Sequence, residues 1–180
     1  MISKKEFKRL IGKLNGYRPL VGAGDKKLTV EILKTLVSVG PGLNDEQREE
    51  ATRHALRIFL TDCSATNMWY EAAHVLRVAG TGHAVIPIYE WILSLKVCDV
   101  ESVNRALDLM AKILEREKSK VSDSTLTKIA TLGPIPAVRL ILAEYYEPDE
   151  IRVPWEKPEV VDCKVIRDLA RLELNRRTQI

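Results

Sequence analysis

WYEAAHVLRVAGTGHAVIPIYEWILSL, residues 69–95, decides how the rest of the chain is read. Trp69, Ala72, Ala73, Leu76 and Ala79 recur at the i, i+3, i+4, i+7 spacing of one buried helix face. After a tight turn at Gly80-Thr81-Gly82, Val85, Ile88, Ile92 and Leu95 do the same, with Glu90 the only formal charge among them. The stretch therefore reads as two helices folded against each other. A pair this apolar must be covered on more than one side, which places it between neighbours.

Working outward, the same periodicity recurs. Towards the N-terminus, Asn44 and Gln47 form a capping box that opens a helix to about Asp62, burying Ala51, Ala55, Ile58 and Phe59. Before it, a helix from about Thr29 to Val39 stops at Gly40-Pro41-Gly42. Residues 3–14 form a short amphipathic helix with Phe7, Leu10, Ile11 and Leu14 on one face. Residues 15–25, NGYRPLVGAGD, have the chemistry of a linker. Towards the C-terminus a helix spans about Val100 to Glu117, and its end, EREKSK, is expected to run into solvent. Ser122 or Asp123 starts a short helix ended by Gly133-Pro134, and Val138, Ile141, Leu142 and Tyr145 stripe another. Residues 147–158 contain three prolines and read as an extended connection, in which Trp155 pins the chain across its neighbours. A last helix, Pro158 to about Arg176, is expected to bury Val161, Val165, Leu169 and Leu172. No stretch alternates like a strand. The expectation is an all-α chain of about nine helices.

Internal similarity sharpens this. LRVAGTGHAVIPI around Gly80 aligns with IATLGPIPAVRLI around Gly133, matching Ala84-Val85 to Ala137-Val138 and Ile88 to Ile141. A weaker copy, LVSVGPGLN, sets Gly40 in register. In each, a helix ends at glycine, the chain reverses, and a small residue lets the next helix start close by. The pattern resembles the HEAT-like (armadillo-type) repeat family in its short bacterial form, roughly A-x-x-A-L-x-x-x-G-x-x-x-A-V-x-x-L. Ala73, Leu76, Gly80, Ala84, Val85 and Ile88 match it, over a resemblance covering residues 28–146. The resemblance implies a short right-handed α-solenoid of stacked antiparallel hairpins. It divides the chain into a basic helix and linker (1–27), the repeats (28–146), and a proline-bearing connection with a capping helix (147–180). It fixes no activity, because the family holds scaffolds, adaptors, lyases, hydroxylases and DNA glycosylases.

Charge is unevenly placed. The chain of 180 residues carries +3 overall, yet residues 1–27 hold eight Lys or Arg against Glu6 and Asp25, which leaves the body mildly acidic. No apolar run approaches the roughly 20 residues of a membrane span, and the N-terminus lacks the apolar core of a signal peptide. Cys63, Cys98 and Cys163 are odd in number and widely spaced, so neither a disulfide framework nor a zinc knuckle is indicated, and a reducing cytoplasmic setting is expected.

Candidate chemistry is sparse. His54, His74 and His83 form no HxxH or HExxH pattern, and no metal or cofactor is expected. VGAGDKK (21–27) is glycine-bearing but neither follows a strand nor leads into the Lys-Ser/Thr of a phosphate loop. Trp69 and Trp91 suit hairpin packing better than a DNA-cradling cleft, since phosphate contact demands a basic concave surface and the repeats are acidic. Sequence reasoning therefore points to a non-enzymatic interaction or scaffold module whose partner is another protein. Lys4, Lys5, Lys8, Arg9 and Lys13 are the candidate contact residues. The alternative is a nucleic-acid-binding or repair protein using the same basic arm.

Overall fold

The computed structural model describes residues 2–15, 23–61, 67–94, 100–141 and 155–179. Among them the chain is mostly helical, with α1 Lys4–Asn15, α2 Ala23–Val39, α3 Asp45–Thr61, α4 Asn67–Ala79, α5 Val85–Ser94, α6 Val100–Glu117, α7 Asp123–Ala130 and α8 Lys164–Thr178. One antiparallel strand pair, β1 Ile135–Ile141 and β2 Trp155–Val161, interrupts the helices before α8.

Local chemistry sets the helix starts. The Asn44–Gln47 box closes as expected: Gln47 N donates to Asn44 Oδ1 at 2.9 Å and Asn44 N to Gln47 Oε1 at 3.1 Å. Ser3 and Glu6 make a second box at α1, with Glu6 N donating to Ser3 Oγ at 3.2 Å and Ser3 N to Glu6 Oε2 at 3.1 Å. Ser122 caps α7 by accepting from Thr125 N.

Packing proceeds helix by helix. The first helix, α1, lies on α3 and α2; α2 and α3 lie on α4; α4 and α5 lie on α6; α6 supports α8 and the strand pair, and α7 lies on α8. One continuous core runs through them all, with Leu76, Ile88, Met110 and Ile113 fully buried at its centre. Thus residues 69–94 are central, but α4 packs mainly on α3 and α2 and α5 mainly on α6, where the sequence suggests that the two pack on each other.

Glycine geometry separates the three apparent repeats. At Gly80 a Cβ would stand 2.2 Å from the Leu76 carbonyl oxygen, so a side chain cannot be accommodated without moving backbone. A Cβ on Gly40 would meet Val78 Cγ2 at 2.7 Å, because the first turn abuts the end of α4. Gly133 faces open space. It precedes a strand, so the third copy is not a helical hairpin.

That strand corrects the all-helix reading, and eight helices stand where about nine are expected. Val138 and Ile141 lie in β1, and Leu142 and Tyr145 fall outside the described residues. IPAVRLI is apolar at nearly every position and satisfies both periods, while pairing with residues 155–161 decides for the strand. Pro158, assigned above to the first turn of a helix, lies in β2 opposite Val138, and the helix begins at Lys164. Pro136 opposes Val160 in the same alternate set of positions. A proline has no N–H for the ladder, so both prolines occupy non-hydrogen-bonded pairs and turn towards the two outer edges, which blunts each against further strand pairing.

Three smaller corrections follow. Residues 23–27 already belong to α2, so the expected linker is shorter than 15–25. The buried face of α8 is Ile166, Ala170 and Glu173, while Val165 and Leu172 are 68% and 67% exposed. Ile166, Ala170 and Glu173 share the face that α8 turns to α6 and α7, and Arg177 ties that helix to Asp123. EREKSK is exposed as expected except at Glu117, which turns inward and is only 4% exposed.

Candidate partner-binding face

Six arginines close the ends of helices. Arg57 Nη2 donates to the Leu14 carbonyl at the end of α1 at 2.8 Å. At the end of α4, Arg48 Nε donates to Ala79 O at 3.3 Å, and Arg116 Nη1 to Arg77 O at 2.7 Å. Arg171 Nε donates to Ala130 O at 3.2 Å and Arg167 Nη1 to Leu132 O at 3.1 Å, beyond α7. Arg177 reaches the Lys118 carbonyl after α6. Orphan carbonyls at a helix C-terminus carry partial negative charge, and a guanidinium supplies both donors and the opposite sign.

Two buried carboxylates organise these arginines. Glu117 binds Arg48 through one oxygen, with Arg116 at 3.6 Å and Lys120 at 3.5 Å. Burial and the neighbouring Arg48 charge lower the Arg116 guanidinium below its usual value, although Glu117 opposes the shift. Glu173 accepts from Arg176 Nη2 at 2.7 Å and Arg177 Nε at 3.0 Å. Its carboxyl is held at about 2, mainly by the Arg176 hydrogen bond, against the effect of burial and with help from Arg177. Such pairs stabilise the fold. They bring no substrate site with them.

The cations of α1 differ. Phe7, Ile11 and Leu14 are buried against α3 and α2, whereas Lys4, Lys5, Lys8, Arg9 and Lys13 are exposed. Lys4 lies 3.8 Å from Glu46. Among the described residues, no carboxylate lies within ion-pair distance of Lys5, Lys8, Arg9 or Lys13. The helix therefore docks by its apolar stripe and presents unneutralised positive charge on its other faces. All five candidate residues belong to this one element.

The remaining sequence candidates are scattered. His54 is buried in α3, where desolvation and Arg57 lower its basicity. His74 is exposed, and His83 places Nδ1 at 2.7 Å from Glu49 Oε1. Burial raises the Glu49 carboxyl, but the His83 hydrogen bond and the nearby Thr81 hydroxyl outweigh it and leave it below its usual value. No group of three metal-ligating side chains gathers among the described residues. Trp69 is buried and stacks on Phe59 with centroids 4.9 Å apart, and Trp91 stands 5.3 Å from Phe59, so both are packing residues. Trp155 opens β2. Cys163 is a buried free thiol whose pKa burial raises; Cys63 and Cys98 lie outside the described residues. Of VGAGDKK, residues 21 and 22 also lie outside the described residues, and 23–27 are helical. No described helix is long and apolar enough to cross a membrane.

Sequence reasoning missed the arginine caps, the two buried carboxylates and a cleft beside α1. Spacing signals within one helix exist for Glu173 with Arg176 and Arg177, at i+3 and i+4. The others join distant parts of the chain. No protein-family model matches the chain, and no curated protein and no solved structure matches it.

Proposed function

We propose that this protein is a non-enzymatic interaction module, a short α-solenoid of HEAT-like character that presents its N-terminal basic face to another protein. The observation that carries the reading is the contrast in charge use. Several arginines of the body are engaged with carbonyls and carboxylates inside the fold, whereas Lys5, Lys8, Arg9 and Lys13 are exposed on one docked helix with no ion-pair partner among the described residues. The successive packing of α1 to α4, then α4 to α6, then α6 to α8 supports the solenoid reading, since each layer covers the apolar face of the one before. The close turns at Gly40 and Gly80 fit the glycine positions of the repeat pattern, while the helices that flank each turn pack on other neighbours.

The test is charge reversal. Replacing Lys4, Lys5, Lys8 and Arg9 with Glu should abolish capture of the partner identified by pull-down and mass spectrometry, while the melting temperature stays within about 2 °C because these side chains are exposed. Capture that survives the reversal refutes the assignment to α1. Nucleic acid is the alternative ligand for a basic helix. Binding to random duplex DNA that weakens steeply with salt, together with no protein partner, would favour it.

A further inference from the structure

An open cleft of about 500 Å³ separates α1 from the C-terminal end of α2. Its apolar floor is Ile2, Leu10 and Val39, and its polar rim includes Arg9, Thr35 and Ser38. Glu6 also borders it, but its carboxylate is held by Ser3 N at 3.1 Å and Ser3 Oγ at 2.7 Å, which lowers its pKa and commits it to the helix cap. The Glu6 carboxylate stays ionised and interacts with Arg9, so the positive excess beside the cleft comes from Lys5, Lys8 and Lys13, exposed on the same helix as Arg9. The hydroxyls are committed in a different sense. Thr35 Oγ1 donates to Glu31 O and Ser38 Oγ to Thr35 O, both at 2.8 Å, so each has used its one proton and offers only lone pairs.

We propose that this cleft receives a short acidic peptide segment of the protein partner, with one aliphatic side chain on Ile2, Leu10 and Val39 and a flanking carboxylate on Arg9. The inference rests on the interaction-module reading and names the chemistry of its ligand. A peptide brings N–H donors, which Thr35 and Ser38 are able to accept. An aliphatic anchor beside a charged rim is also the usual anatomy of a peptide groove. The exposed Lys5 and Lys13, on the same helix, extend the positive field along the path a second carboxylate would take.

The experiment is selection of a randomised linear peptide library, displayed on phage, against the intact chain. Peptides with Asp or Glu next to Leu, Ile or Val should be enriched. A synthetic copy of the strongest should lose at least about tenfold in affinity with Arg9→Glu. A comparable loss should follow Ser38→Tyr, an exposed position where the ring would fill the cleft, with the melting temperature of both variants unchanged. Enrichment of neutral or basic peptides, no enrichment, or affinity insensitive to either substitution overturns the cleft assignment. Acidic peptides that bind but ignore both substitutions move the contact elsewhere and leave the interaction-module reading standing. No peptide binding together with salt-sensitive duplex DNA binding removes both.

Discussion

Arg48 offers the sharpest test of how the helices are joined. Its side chain is 16% exposed and its partner Glu117 4%. Besides that carboxylate, the guanidinium donates to the carbonyls of Ala79 and Gly80, each at 3.3 Å. Arg48→Ala strands Glu117 with Arg116 and Lys120, both at 3.5 Å or more, and with a buried Oε2 that has no hydrogen bond among the described residues. Removing one member of a buried pair typically costs about 3–5 kcal/mol, mostly because the other charge stays desolvated. The two remaining cations soften that penalty, and the lost carbonyl bonds add about 1 kcal/mol. The expected loss is therefore about 3 kcal/mol, read as a shift in the urea midpoint at unchanged slope. Arg48→Met with Glu117→Leu removes the stranded charge as well and should recover most of it. Arg48→Lys keeps the charge but not the fork, and should fall between. A loss under about 1 kcal/mol for Arg48→Ala, or no recovery in the double variant, would refute the reasoning.

Acid should expose the second buried carboxylate. Glu173 titrates near 2 in the fold against 4.5 ordinarily, so its contribution is complete above pH 4.5 and disappears as pH falls towards 2. Because Arg176 is half exposed, about 2 kcal/mol is an upper bound, and Glu173→Gln should flatten that limb of a stability–pH curve. Gly80→Ala should destabilise by more than about 1 kcal/mol, whereas Gly133→Ala should be neutral or slightly stabilising, as thermal melts of the two variants would report. Leu76→Ala or Ile88→Ala should cost about 2–5 kcal/mol in denaturant, against less than about 0.5 for Leu172→Ala. Equal losses at Leu76 and Leu172 would contradict the assigned face of α8.

Legibility followed the range of the interactions. Asn44 with Gln47 and Ser122 with its helix are neighbours in sequence, and they place the starts of α3 and α7 correctly. The stripe Phe7, Ile11 and Leu14 foretells which side of α1 docks, and so which side keeps its lysines outward. IPAVRLI misleads because its strand partner lies some twenty residues away, and no local period distinguishes strand from helix there. Val165 and Leu172 mislead because hydrophobicity alone ranks them above Ala170 and Glu173 for burial, while the face that α8 turns inward is the one that meets α6 and α7, where Arg177 ties to Asp123. The cleft depends on α1 lying beside the far end of α2, a relation no spacing within one segment encodes.

The guanidinium caps give the fold an unusual kind of durability. In a stack of helices, fraying ordinarily begins at the outermost layer, which has a neighbour on one side only. Here Arg57 ties the Leu14 carbonyl near the end of α1 to α3, and Arg167 and Arg171 tie the end of α7 to α8, at opposite ends of the packing order. A guanidinium stays charged at any pH a cell or a buffer presents, and a peptide carbonyl does not titrate at all. These fastenings therefore outlast the carboxylate pairs on acidification. The outer helices should exchange their amide hydrogens almost as slowly as the centre, and the molecule should come apart in one step, not from its ends inward.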